Sequence, residues 1–183
     1  MEASQISADL TRVLYGPDKI QGRMTELAAE IDRDYAGKDL LLVGVLNGAV
    51  MAMADLSRSL TVHCRMDWMA ISSYGSGTKS SGVVRILKDL STDIGGVDVL
   101  VVEDIIDTGL TLSYLISNLL SRGPASLKVM TAFRKPDAAQ NAVEVAYVGF
   151  DIPNEFVVGY GLDYAERYRN LKGVAVLAPH VYE

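Results

Sequence analysis

The chain has 183 residues, 49% hydrophobic and 22% charged, the profile of one soluble globular domain with room for a real core. Its 17 Lys and Arg against 23 Asp and Glu leave a formal net charge of −6, so it lacks the basic footprint that nucleic acid or an anionic membrane surface demands. Cys64 is the only cysteine, and His63 and His180 are the only histidines, which excludes an intrachain disulfide and any Cys- or His-rich metal site.

Taken in chain order, the elements alternate. Met24, Leu27, Ala28 and Ile31 recur at helical spacing, which predicts an amphipathic helix over 20–35 that stops near Gly37. Leu40–Leu46 is an unbroken apolar run and predicts a strand buried on both faces. The turn Asn47-Gly48 leads to a second helix over 49–60, then a strand of mixed polarity over 61–72. The stretch 73–83 has three glycines and no apolar period, and reads as a loop before a short strand at 84–87. The strongest strand is 97–102, followed by a helix carrying Leu112, Leu115, Ile116, Leu119 and Leu120, closed by Gly123-Pro124. Further strands are expected at 126–133, 143–148, 156–160 and 174–177. Such alternation predicts an α/β domain with a mostly parallel sheet, whose ligands bind at the carboxyl ends of the strands.

The N-terminal Met-Glu-Ala-Ser-Gln-Ile-Ser carries an early acid and no apolar core, and is not a signal peptide. The most apolar stretch, 40–54, is too short to span a bilayer. With a lone cysteine, these features place the protein in the cytoplasm. His63 and Cys64 read as strand or core positions and Trp68 as a packing residue. The methionines near Met51 and Met69 line either a core or a subunit interface.

The chemistry concentrates where the best strand meets the best helix. Val101-Val-Glu-Asp-Ile-Ile-Asp-Thr-Gly-Leu-Thr111 holds three carboxylates, two hydroxyls and a glycine. The part from Asp107 through Thr108, Gly109 and Leu110 to Thr111 offers unpaired backbone N–H groups and the positive helix end to a phosphate. Glu103-Asp104 suits sugar hydroxyls or a hard cation such as Mg2+. Helix capping would explain Asp107 and Thr108, but not two acids ending a buried strand. The segment is neither a Walker A loop nor a dinucleotide fingerprint, since the required Gly-Lys-Ser/Thr and the three spaced glycines are missing.

Two apolar residues, two acids, two apolar residues and Asp-Thr-Gly-x-Thr resemble the phosphoribosyl pyrophosphate motif of type I phosphoribosyltransferases. The wording resembles the hypoxanthine-guanine branch. Ile71-Ser-Ser-Tyr-Gly and Lys79-Ser-Ser-Gly-Val-Val resemble that branch's mobile loop, and 148–164 its purine-binding region. Arg167-Tyr-Arg-Asn-Leu171 resembles the arginine segment that follows. The resemblance covers nearly the whole chain.

It implies a parallel sheet flanked by helices, in one domain spanning 1–183, with a small hood from the N-terminal segment and roughly 150–183. It implies transfer of 5-phosphoribosyl from phosphoribosyl pyrophosphate to hypoxanthine or guanine, giving IMP or GMP and pyrophosphate. Asp107 is then the general base or acid at purine N7, and Asp107–Thr111 hold the 5-phosphate. Glu103 and Asp104 lie by the ribose hydroxyls. Those hydroxyls share a Mg2+ with pyrophosphate, and Asp163, in the purine-binding region, binds a second Mg2+. Lys135 donates to the 6-oxo group, with Arg134 a neighbouring candidate, and an ammonium, having donors only, disfavours a 6-amino group. Phe156 stacks on the base, Val157 contacts its edge through the backbone, and Arg169 contacts pyrophosphate through its planar fork. Ser73-Tyr74 tip a loop that closes over the reacting centre and excludes water. Where the family's pyrophosphate loop often reads Leu-Lys-Gly, this chain has Leu46-Asn47-Gly48. The backbone role carries over, and the side-chain charge does not. A homodimer or homotetramer is also implied.

Two other readings stand beside this one. A regulatory protein on the same fold would sense nucleotides and need a basic surface. A xanthine-preferring phosphoribosyltransferase would share Lys135, Phe156 and Asp163.

Overall fold

The computed structural model describes residues 1–73, 84–138 and 143–183. After a 3-10 segment at Ala3–Asp9 come β1 (Leu10–Tyr15), α1 (Pro17–Asp34), β2 (Leu40–Leu46), α2 (Val50–Ser59), β3 (Cys64–Ser73) and β4 (Val84–Lys88). The chain continues with β5 (Asp98–Ile106), α3 (Leu110–Leu120), β6 (Ser126–Arg134), a 3-10 turn at Pro136–Ala138, β7 (Tyr147–Asp151), β8 (Val157–Val158), β9 (Val174–Leu177) and α4 (Pro179–Tyr182).

The main sheet has the order β4-β3-β2-β5-β6-β7, parallel except for the antiparallel edge pair β3–β4. This is the expected α/β architecture. Alternation along each strand feeds two apolar layers. Leu40, Leu42, Leu100 and Val102 pack with Met24, Leu27 and Ile31 of α1 and Met53 and Leu56 of α2. Leu41, Val43, Val99 and Val101 pack with Leu112, Leu115 and Leu119 of α3 on the other side. Burial on both faces is why β2 and β5 read as continuous apolar runs. Strand order reverses between β2 and β5, so the loops leaving these two strands flank one crevice.

A second sheet, β1-β9-β8, joins the two ends of the chain. It docks through stacking of Tyr15 on Phe150 (4.1 Å, 24°), and an Arg12–Glu155 ion pair ties β1 to the segment that leads into β8. Farther along, the Tyr160 hydroxyl donates to Asp55 Oδ2 of α2 at 2.8 Å. Burial, then the neighbouring Asp55, pushes the Tyr160 hydroxyl well above its ordinary pKa.

Several expected boundaries shift for identifiable reasons. β5 runs past Val102 to Ile106, because Ile105 and Ile106 still pair with Phe133 and Arg134. β3 begins only at Cys64, because Asp32 takes the Thr61 and Val62 amides, and His63 is exposed rather than part of a strand or core. The strand expected at 143–148 lies instead at Tyr147–Asp151. Val143 and Val145 pack on the α3-side core outside the ladder, and pairing with β6 starts at Met130↔Tyr147. The strand expected at 156–160 shortens to Val157–Val158, because Gly159 (φ +100) and Tyr160 (φ +50) leave extended geometry. β1 and α4 were not expected. Trp68 packs against the core as expected. Met53 and Met69 are buried, whereas Met51 and Met66 are exposed.

Removing the Tyr160 hydroxyl tests the docking of the segment that follows β8 on α2. Tyr160→Phe should lower unfolding free energy by about 1–3 kcal/mol, the worth of a hydrogen bond to a charged acceptor. Urea denaturation measures this, and an unchanged midpoint would contradict it.

Candidate active site

At the carboxyl end of β5 the chain turns from buried strand to exposed helix start within five residues. Glu103 is buried, Asp104 is half-buried, Ile106 is buried and Asp107 is exposed. Gly109 caps α3 in the left-handed region at φ +77, and no side chain caps the helix. Asp107 and Thr108 therefore do not serve as caps. The start of α3 instead opens on a cleft of about 230 Å³ lined by Glu103, Asp107, Thr108, Gly109 and Thr111, with Val45, Ile71 and Ile106 among its walls. Backbone N–H groups and the positive helix end meet there, which suits a phosphate.

A second cleft of about 280 Å³ adjoins the first at Ile105 and Asp107, and its remaining walls are Asp104, Lys135, Phe156, Val157, Leu162 and Asp163. Lys135 follows β6, and its ammonium donates to Asp107 Oδ2 at 3.1 Å. The lysine is only 8% exposed. Arg134 points elsewhere: its guanidinium grips both oxygens of Asp151 at 2.7 and 3.0 Å, so of the two neighbours it is Lys135 that lines this cleft. Phe156 is exposed, and Val157 is buried within β8.

Burial dominates the electrostatics of the acid pair. It pushes the Glu103 carboxyl well above the usual range, and the Asp104 charge adds to this. Asp104 is pushed up to about 6 by burial, against hydrogen bonds from backbone amides and the positive charge of Arg169, with Asp163 raising it further. The Ile105 amide donates to Asp104 Oδ1 at 2.7 Å.

The loop after β2 closes on the same acids. Its Leu46–Asn47 peptide is cis. Asn47 is exposed and Gly48 is buried. A Cβ on Gly48 would lie 1.5 Å from Asp104 Oδ2, and one on Gly161 (φ +99) would lie 2.0 Å from the Gly48 carbonyl oxygen. Only glycine permits this close approach of the acid, the loop after β2 and the segment at Gly161.

Arg169 lines neither cleft. It donates to the Gly161 carbonyl at 3.0 Å, pairs with Asp163 at 3.0 Å and Glu166 at 3.1 Å, and keeps a buried Nε without a partner. Leu110 is exposed at the start of α3. Tyr74 and the rest of 74–83 lie outside the described residues, and Ser73 is placed only as the last residue of β3. The structure adds Ile105 and Leu162 as walls of the second cleft. Ile105 sits inside the acidic motif and was legible as a wall position. Leu162 carried no local signal.

An acidic helix-start loop at a strand-order reversal thus faces a cleft with a lysine and an exposed ring, an arrangement suited to the class of enzymes that bind a phosphate at a helix start and a flat base beside it. Consistent with that class, residues 17–165 match the phosphoribosyl transferase domain model. A hypoxanthine-guanine phosphoribosyltransferase of Mycobacterium tuberculosis is 57% identical over 181 residues, spanning 96% of this chain and 90% of the relative. One of Bacillus subtilis is 48% identical over 175 residues, spanning 96% and 97%. The crystal structure of a hypoxanthine phosphoribosyltransferase from Staphylococcus aureus superposes with a TM-score of 0.94 at 45% identity, covering 98% of this chain and 97% of that one. The chain belongs to the hypoxanthine-guanine phosphoribosyltransferase family.

The raised pKa of Asp104 has a signed consequence. Between its ordinary value of 3.8 and about 6, the folded state holds a proton that the unfolded state has lost. The Asp104 contribution to stability is therefore full below about pH 4 and is lost as pH rises through about 6. Asp104→Asn should gain stability relative to the parent across that window. Urea titrations of both proteins at a series of pH values measure the gap, and parallel stability curves would contradict it.

Proposed function

We propose that the protein transfers the 5-phosphoribosyl group of phosphoribosyl pyrophosphate to hypoxanthine or guanine, forming IMP or GMP and releasing pyrophosphate in purine salvage. The observation that carries this is the Asp107–Lys135 pair, donor and acceptor 3.1 Å apart beside Phe156. A 6-oxopurine carries O6 and N7 side by side on one edge. Lys135, with donors only, faces O6, and Asp107 accepts the N7 proton. Removing that proton makes N9 the nucleophile that bonds to C1′ as the C1′–pyrophosphate bond breaks. Adenine would set its 6-amino donors against the ammonium.

The phosphate groups have separate berths in this reading. The 5-phosphate takes the α3 start at Asp107, Thr108, Gly109, Leu110 and Thr111. Pyrophosphate takes backbone groups of the Leu46–Gly48 loop and the Arg169 guanidinium. Phe156 stacks on the base and Val157 meets its edge. Ser73-Tyr74 belong to the closing loop. The chain works as one domain, and the small sheet with 150–183 forms a hood over the crevice.

Among the described residues, no three His, Cys, Asp or Glu side chains converge to hold a metal ion. Glu103 and Asp104 nevertheless fit a divalent cation, because both are hard oxygen donors whose burial disfavours the charged form in the absence of a counter-charge. Mg2+ binds through one or two carboxylates together with substrate oxygens, so Glu103 and Asp104 would hold one ion with phosphoribosyl pyrophosphate, and Asp163 would hold a second. When bound, the metal neutralises the leaving pyrophosphate. A cytoplasmic location and a homodimer or homotetramer complete the reading. The free Cys64 supports the first, and the exposed Met51, Met66 and Leu87 support the second. No described helix is long and apolar enough to cross a membrane.

A base panel tests the proposal. With phosphoribosyl pyrophosphate and Mg2+, hypoxanthine and guanine should turn over and adenine should not, and chelation of the metal should abolish product. No turnover of either 6-oxopurine would contradict the assignment.

A further inference from the structure

Phe156 is 40% exposed and forms a wall of the cleft that holds Asp107 and Lys135. Away from that cleft it is not bare. The Tyr182 ring stacks on it with centroids 5.0 Å apart and planes at 25°. Tyr164 meets Phe156 edge-on at 5.7 Å and Tyr182 at 6.3 Å. Neither tyrosine lines the cleft.

The backbone explains the meeting. Phe156 immediately precedes β8, and α4 follows β9 after the single residue Ala178. These strands are antiparallel with Val157 opposite Val176, so the start of one lies beside the end of the other. The Leu177 amide donates to the Phe156 carbonyl at 2.9 Å, and the Ala178 amide donates to the Asp9 carbonyl at 2.8 Å. Pro179 then opens α4, whose single turn delivers Tyr182 back over Phe156.

We propose that Tyr182 is a positioning residue for the purine subsite, backing Phe156 so that purine, Phe156 and Tyr182 form one continuous stack. The inference rests on the reading of Phe156 as the ring that stacks on the base. A ring exposed on one side and unsupported on the other must be ordered when a base binds, at the expense of affinity. A ring already packed from behind meets the base in place. Offset-stacked geometry adds attraction of its own. Tyr182 reaches no purine substituent, so it strengthens binding of a flat purine without distinguishing hypoxanthine from guanine. The Tyr182 hydroxyl plays no part in the stack, and phenylalanine should replace it.

Steady-state kinetics with the Mg2+-loaded enzyme test this in Tyr182→Leu, Tyr182→Phe and Phe156→Ala. Tyr182→Leu keeps an apolar filler and removes the flat ring. It should raise KM for hypoxanthine and guanine alike by about three- to tenfold, with kcat and KM for phosphoribosyl pyrophosphate held within about twofold. Tyr182→Phe should match the parent. Unchanged purine KM values in Tyr182→Leu, equal effects of Leu and Phe, or a rise in both substrates' KM together would overturn the proposal. Phe156→Ala separates the two levels. If it leaves purine KM unchanged, the stacking role of Phe156 fails, and the backing role with it. If it raises purine KM while Tyr182→Leu does not, the backing role fails alone.

Discussion

The burial of β5 on both faces is the constraint on which the site depends. With α1 and α2 covering one side and α3 the other, that strand keeps polar side chains to its two ends, Asp98 at the start and Glu103-Asp104 toward the carboxyl end. There Glu103 and Asp104 emerge still largely dry, with Asp107 exposed just beyond. The result is a steep change from apolar interior to charged rim over five residues. That gradient raises the acid pair's pKa values, and the left-handed Gly109 that ends it leaves the α3 amides uncapped. One strand end thus prepares both a cation-seeking acid pair and an anion-seeking helix start.

The neighbouring strands bring in what β5 lacks. Ile106 pairs with Arg134, so the residue after β6 arrives beside the residue after β5, and Lys135 meets Asp107. On the other flank, Gly48 lets the loop after β2 lie against Asp104, and Gly161 lets the segment after β8 lie against Gly48. The net charge of −6 gains meaning here. On the proposed reading, an acidic protein whose substrate is heavily anionic must work through local devices, and some of its excess acid is the acid proposed to recruit Mg2+.

How far the sequence told this story depended on the range of the interaction. Leu40–Leu46 and Val174–Leu177 were legible to the residue, because burial on both faces writes itself into consecutive side chains. The motif from Glu103 to Thr111 was legible because acids, glycine and helix start are contiguous. β7 was misplaced because Val143 and Val145 look like a strand and pack like one, while register with β6 selects Tyr147 onward. β1 was missed because its partner, β9, lies at the far end of the chain. The Gly48–Gly161 approach, the Tyr160–Asp55 bond and the choice of Lys135 over Arg134 all depend on residues distant in sequence or on which way a side chain turns. No local pattern encodes them.

The central claim is that Asp107 and Lys135, at the ends of adjacent strands, read the purine edge as one unit. A double-mutant cycle on kcat/KM for hypoxanthine, using Asp107→Asn, Lys135→Gln and the pair, tests it most directly. If the two act as a unit, the double variant should be little worse than the more damaged single variant. Losses that multiply across the cycle would show two independent residues and contradict the account.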